Sequence, residues 1–151
     1  MISYKELKEL LQKAIRWEEK LKDLYDVAEL GLKEPKSKEV VKILGNKLKE
    51  KLEVSENVDV EKHGRTEWVR FAPDYRDEDL IPKKAITKHT TPEEIFRQLL
   101  DFETKLKSYY SAILKNLRTD RQRDLFESLV RFKEEQVAEI KRFKGNYNLV
   151  S

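Results

Sequence analysis

The chain has 151 residues, 40% of them charged, and its 32 Lys and Arg against 29 Asp and Glu leave a net charge of +3. A balance that close, with bases and acids interleaved and no stacking-aromatic motif, argues against nucleic acid or an anionic membrane as partner. The absence of Cys removes disulfides, thiolate metal sites and cysteine nucleophiles together.

The length suits a single domain, residues 1–151, able to bury roughly 70% of its unfolded surface. Only four Gly and four Pro are present, which with the heavy mixed charge fits long solvent-facing helices and a thermophile-like composition. No apolar run approaches ~18 residues and the N-terminus lacks a signal peptide's apolar core, so a soluble, cytoplasmic protein is expected.

Ser3 to Glu6 reads as a capping box, predicting a first helix over about 4–30 that ends at Gly31 in a left-handed conformation, with Pro35 barring continuation. Steps of four and three pick out Leu7, Leu11, Ala14, Glu18, Leu21, Tyr25 and Ala28, an apolar face interrupted by one carboxylate. Ser37 is placed to cap a second helix, about 38–54, carrying Val41, Leu44, Leu48 and Leu52. Within it Gly45 either weakens the helix or admits a close neighbour.

From 55 to 90 the helical period is lost. Val58 and Val60 alternate with acids, His63-Gly64 offers a turn, and Trp68 and Phe71 follow, so this crossover has the pattern of a small β-hairpin whose aromatics cover the side of a bundle or a partner. Thr91-Pro92-Glu93-Glu94 combines a cap, Pro at the first helical position and Glu at the third, opening a third helix over about 92–116. Thr119 and Gln122 suggest another capping box for a fourth helix, about 120–144, stopping at Gly145. Its inward positions are Phe126, Leu129, Lys133, Gln136, Ile140 and Phe143.

A shift of 85 residues maps the first helix onto the third, giving Pro92, Phe96, Leu99, Glu103, Leu106, Tyr110 and Ile113. Both copies hold an inward Glu, a Tyr seven residues later, and an aromatic, Trp17 or Phe102, just before the Glu. The fold class expected is all-α, an antiparallel four-helix bundle of two helical hairpins joined by a long crossover.

With Ala14-Ile15-Arg16 ahead of Glu18, Tyr25 and Tyr110 after the two Glu, and the Tyr109-Tyr110 pair, the chain resembles the ferritin-like superfamily, nearest its rubrerythrin-type branch. That resemblance implies a bundle in which one Glu from each of the first and third helices, and a Glu-x-x-His pair from each of the others, hold two irons that handle peroxide or dioxygen. Carried over, Glu18 and Glu103 match the single ligands, and Tyr25 and Tyr110 match the tyrosines behind them. The remaining positions depart, with Leu48 and Lys51 on the second helix and Lys133 and Gln136 on the fourth. His63 and His89 both fall in the crossover. A shifted register recruiting Glu50, Glu53 and Glu135 would expose Phe126 and Leu129 and invert the fourth helix.

Buried carboxylates require cations, protonation or hydrogen bonds. The expectation is a degenerate di-iron site in which Lys133, or Lys133 and Lys51, replace the metal charge beside Glu18 and Glu103, with no cofactor. The corresponding function is a non-catalytic structural or interaction protein, with a protein partner or a homodimer as the family analogy implies. The rival is an iron-binding di-iron carboxylate protein using Glu18 and Glu103. A third reading is a small-ligand cavity lined by Trp17, Phe102, Tyr25 and Tyr110.

Overall fold

The computed structural model describes residues 3–56, 68–71 and 76–147. Among these, the chain runs β1 (Ser3–Glu6), α1 (Leu7–Gly31), α2 (Pro35–Glu56), β2 (Trp68–Phe71), α3 (Asp77–Leu80), α4 (Pro92–Leu114) and α5 (Asp120–Tyr147). Consecutive long helices pack as pairs, α1 on α2 and α4 on α5, and α1 meets α4 between the pairs. The inward faces meet in one core, where Leu21, Leu99, Leu106, Phe126 and Ile140 are fully buried. No described helix is long and apolar enough to cross a membrane.

The N-terminal expectation is corrected. Ser3–Glu6 is not a helix cap but a strand, paired antiparallel with Trp68–Phe71 so that Ser3 faces Phe71 and Glu6 faces Trp68. Residue 6 is extended, at φ −68° and ψ 137°, and caps α1 with no side-chain bond. A local cap motif competes here with the backbone of a β-prone Trp-Val-Arg-Phe run, and pairing with that distant run wins. Of the hairpin foreseen within the crossover, the arm with Trp68 and Phe71 is the strand β2, paired with the N-terminus. Val58, Val60, His63 and Gly64 lie outside the described residues.

Helix ends also differ from the pattern. The α2 cap is Glu34 rather than Ser37: its carboxylate accepts from the backbone N–H of Lys36 at 3.1 Å and of Ser37 at 2.8 Å, and from the Ser37 hydroxyl at 2.9 Å. These bonds, the Ser37 amide first, hold Glu34 below the usual carboxylate range. Gly31 closes α1 without a left-handed turn, and Leu32 beyond it is extended at φ −80°. What Gly31 supplies is room, since a Cβ there would lie 2.9 Å from Ile86 Cγ2. Gly45 likewise admits Tyr25, whose Cβ would sit 3.3 Å from an added methyl. α5 continues through Gly145 to Tyr147, a glycine costing only ~1 kcal/mol inside a helix.

The α4 start matches its motif: Thr91 is extended, its hydroxyl accepts from Glu94 N–H at 3.1 Å, and Pro92 follows. Pro92 itself is exposed, so the inward face of α4 begins at Ile95 and Phe96. Thr91→Ala should cost about 1 kcal/mol of stability through the lost cap, read as a lower midpoint in urea unfolding with an unchanged slope.

Candidate functional site

Seven residues are two helical turns, so Glu18 and Tyr25 share one face of α1, and Glu103 and Tyr110 share one face of α4. Packing α1 against α4 sets these faces opposite each other, and α5 inserts Lys133 between them. The Lys133 ammonium donates to Glu18 Oε1 at 2.5 Å and to Glu103 Oε1 at 2.7 Å. The other oxygen of each carboxylate accepts from the tyrosine of the opposite helix, Tyr110 to Glu18 Oε2 at 2.8 Å and Tyr25 to Glu103 Oε2 at 2.7 Å. The ammonium also lies 5.3 Å from the Phe132 ring centre.

This array is dry. Lys133 and Glu103 are 0% exposed and Glu18 5%. Burial pushes the Glu18 carboxyl above its usual range, with Lys133 opposing and Glu103 reinforcing the shift. For Lys133 burial works against the charged form, yet the two carboxylates prevail and its proton is held more tightly than in water. Burial, then the adjoining carboxylates, raise Tyr25 and Tyr110 well above 10.0, so both remain hydrogen-bond donors. Two carboxylates facing one ammonium with two neutral donors form a closed set in which every oxygen has a partner.

Lys51 does not join it. Its ammonium donates to Ser128 Oγ at 3.0 Å at the half-buried edge between α2 and α5, which corrects the expectation that a second lysine could serve the carboxylates. Gln136 is buried but turned toward α2, where its Nε2 donates to the Leu44 carbonyl at 3.0 Å. Leu48 packs in the apolar core. Glu50, Glu53 and Glu135, the carboxylates of the shifted register, are exposed.

The residues present do not fit a pair of irons. Among the described residues no three His, Asp or Glu side chains converge as a metal site. The gap between the two inward carboxylates is bridged by a cation that repels any metal. His89 is exposed in the segment before α4, and His63 lies outside the described residues.

The four aromatics foreseen around a cavity serve separate partners. Tyr25 and Tyr110 bind the carboxylates. Trp17 donates through Nε1 to Asp77 Oδ1 at 2.6 Å and stacks edge-on against Tyr109 at 4.9 Å, while Tyr109 donates to the Leu10 carbonyl at 2.9 Å. Phe102 borders a cleft of about 360 Å3 shared with Leu24 of α1 and Ile86 of the segment before α4. Sequence reasoning missed Asp77, whose only signal was its place in an acidic run, and the grouping of Glu94, Arg97 and Gln98. The latter was legible as helical spacing of three and four.

Comparison with protein-family models, with curated proteins and with solved structures finds no match to this chain.

Lys133→Met should destabilise the protein by about 3–5 kcal/mol near neutral pH, since it leaves two buried carboxylates without their cation. Adding Glu18→Gln should recover part of that loss. A double-mutant cycle of thermal unfolding checks the pairing: the expected coupling is at least ~1 kcal/mol, and strict additivity contradicts it.

The alkaline limit follows from the raised proton affinities of Lys133, Tyr25 and Tyr110. Each keeps its proton in the fold above the pH at which it is lost on unfolding. Their stabilisation is therefore complete below about pH 10 and declines as pH rises through the folded-state values. The expected slope is up to ~1.4 kcal/mol per pH unit for each proton retained, and Tyr25→Phe should flatten it. Glu18, also raised, contributes most below its ordinary 4.5 and so does not drive unfolding in acid. Urea midpoints measured from pH 8 to 12 decide the alkaline branch.

Proposed function

We propose that this chain is a non-catalytic ferritin-like protein of rubrerythrin type, with two helical hairpins and a crossover, in which a lysine has taken over the electrostatic task of a di-iron centre. The observation that carries the reading is the Lys133 ammonium within 2.7 Å of both inward carboxylates. A protein that worked through metal at this place would keep the two carboxylates free of a tethered cation and surround them with further ligands. Here the positions matching those ligands hold Leu48, Lys51, Lys133 and Gln136, of which Lys133 neutralises, Gln136 braces α2, Leu48 fills the core and Lys51 bonds Ser128.

A centre of this kind has no open coordination position and no displaceable group, so its chemistry is to hold three helices in one arrangement. The role left to such a molecule is that of a scaffold whose outer surfaces engage other molecules. A lysine bridge of this type also makes the fold independent of iron supply, where a metal-held core would lose stability whenever its ions dissociate.

Protein purified without chelator and offered ferrous iron under anaerobic conditions should take up none in stoichiometric amount, with no change in its unfolding temperature. Lys133→Glu should be less stable in the absence of metal and regain stability when ferrous ion is added, because a third carboxylate replaces the cation. About two irons per wild-type chain, lost in Glu18→Ala, would sink the proposal.

A further inference from the structure

Helix α2 carries two of the large apolar side chains that the fold leaves in water, Ile43 at 46% and Val54 at 61% exposed. Between them on the same side are Lys47 and Glu50, both exposed. Steps of four, three and four residues hold Ile43, Lys47, Glu50 and Val54 within about 60° of the helix circumference, as a straight stripe roughly 16 Å long. The buried side of α2, formed by Val41, Leu44, Leu48 and Leu52, lies away from it. Lys51, one turn beyond Lys47, leaves the stripe to meet Ser128 of α5.

The two charges of the stripe have no partner within the described fold. Elsewhere the helices close acid and base pairs at this spacing, Glu94 with Arg97, Asp101 with Lys105 and Lys22 with Asp26 among them. Lys47 and Glu50 form no ion pair among the described residues, and base before acid is the weaker order along a helix. Besides each other, neither has an opposite charge three or four residues away. Spacing of four, three and four is the seam by which one helix packs lengthwise on another. Laid antiparallel on a second copy of itself, the stripe sets Ile43 on Val54 and Lys47 on Glu50, each pair occurring twice. Laid parallel, it sets Lys47 on Lys47 and Glu50 on Glu50.

We infer that this stripe is the contact by which two copies of the chain pair, α2 antiparallel on α2 about a twofold axis that passes between Lys47 and Glu50. A twofold contact must be complementary to itself, a condition that a face for an unlike partner need not meet. The stripe meets it at all four positions. Its ends supply the apolar area, and its middle supplies the direction, since polar residues in a seam fix register and orientation at a cost in affinity. A contact along three turns of one helix falls short of the ~800 Å2 per partner of a standard complex, so the pair is weak and exchanges with monomer. The inference does not rest on the iron-free reading of the core, since the stripe is on the exposed side of α2 and Lys133 is wholly buried.

The test is sedimentation velocity of the full chain over a concentration series reaching about 1 mM at low salt. The wild type should pass from monomer to dimer with a dissociation constant of roughly 0.1 mM, in keeping with a small interface. Lys47→Glu and Glu50→Lys each set like charges against each other twice, and each should weaken dimerisation at least about tenfold. Mixed together, the two variants should form a heterodimer, in which both charge pairs are opposite again. Combining the two changes in one chain should restore the homodimer, which an antiparallel seam allows and a parallel one forbids. Because the chain has no Cys, crosslinking reads the register: Ile43→Cys mixed with Val54→Cys should give a disulfide between chains under mild oxidation, and neither variant alone should. A wild type that stays monomeric at about 1 mM overturns the inference and leaves the stripe to an unlike partner. A dimer indifferent to both charge reversals, or an Ile43→Cys chain that crosslinks to itself as readily as to Val54→Cys, overturns it too.

Discussion

The arrangement of this protein depends on one ammonium shared by two carboxylates. Lys133, on α5, reaches Glu18 and Glu103, on α1 and α4, and the tyrosines that complete the carboxylates cross from one helix to the other. A slide of α1 past α4 by one turn, ~5.4 Å, breaks both crossed bonds and strands a charge in a dry core. Apolar side chains alone tolerate such slides far better, because a Leu finds another Leu a turn away. The polar centre therefore contributes more to uniqueness than to net stability: a well-packed apolar replacement of a buried ion set is often no less stable, whereas removing one member is severely destabilising.

Much of this was legible in the chain because it rests on periodicity. The repeated inward Glu and the Tyr seven residues later fix two faces, and the amphipathic pattern of the last helix admits only a register with Lys133 inward. What was not legible rests on contacts between distant segments. Ser3 to Glu6 has the residues of a helix cap, and only the presence of Trp68–Phe71 alongside makes it a strand. Gly31 has the residue type of a left-handed helix end, and only the approach of Ile86 shows that its missing side chain is what matters. Lys51 shares the spacing of an inward residue but sits where α2 and α5 part, so a long side chain finds Ser128 before it finds the carboxylates.

The segment ahead of α4 is fastened at both ends to α1. Asp77 accepts from the Trp17 indole, and Ile86 fits over Gly31. Trp17 adjoins Glu18 in sequence, so the residue that anchors the outer segment is next to the one that anchors the core. A rigid inner frame thereby positions a surface feature that has few contacts of its own, the usual division between a packed scaffold and the loops it carries.

The separation of the bonded residues along the chain also governs how the molecule can form during synthesis. The α1 and α2 helices pair through a short turn and can associate as soon as both have left the ribosome. Glu18 meets its cation only 115 residues later. At ~5–20 residues per second the carboxylate waits on the order of ten seconds for Lys133 to be made. During that interval the half-molecule carries an unpaired acid on an otherwise sticky face. Water at that face solvates Glu18, so the nascent helix pair cannot dehydrate and seal against another copy of itself at no cost. The same group that closes the finished core thus keeps the unfinished one open until its proper partner arrives.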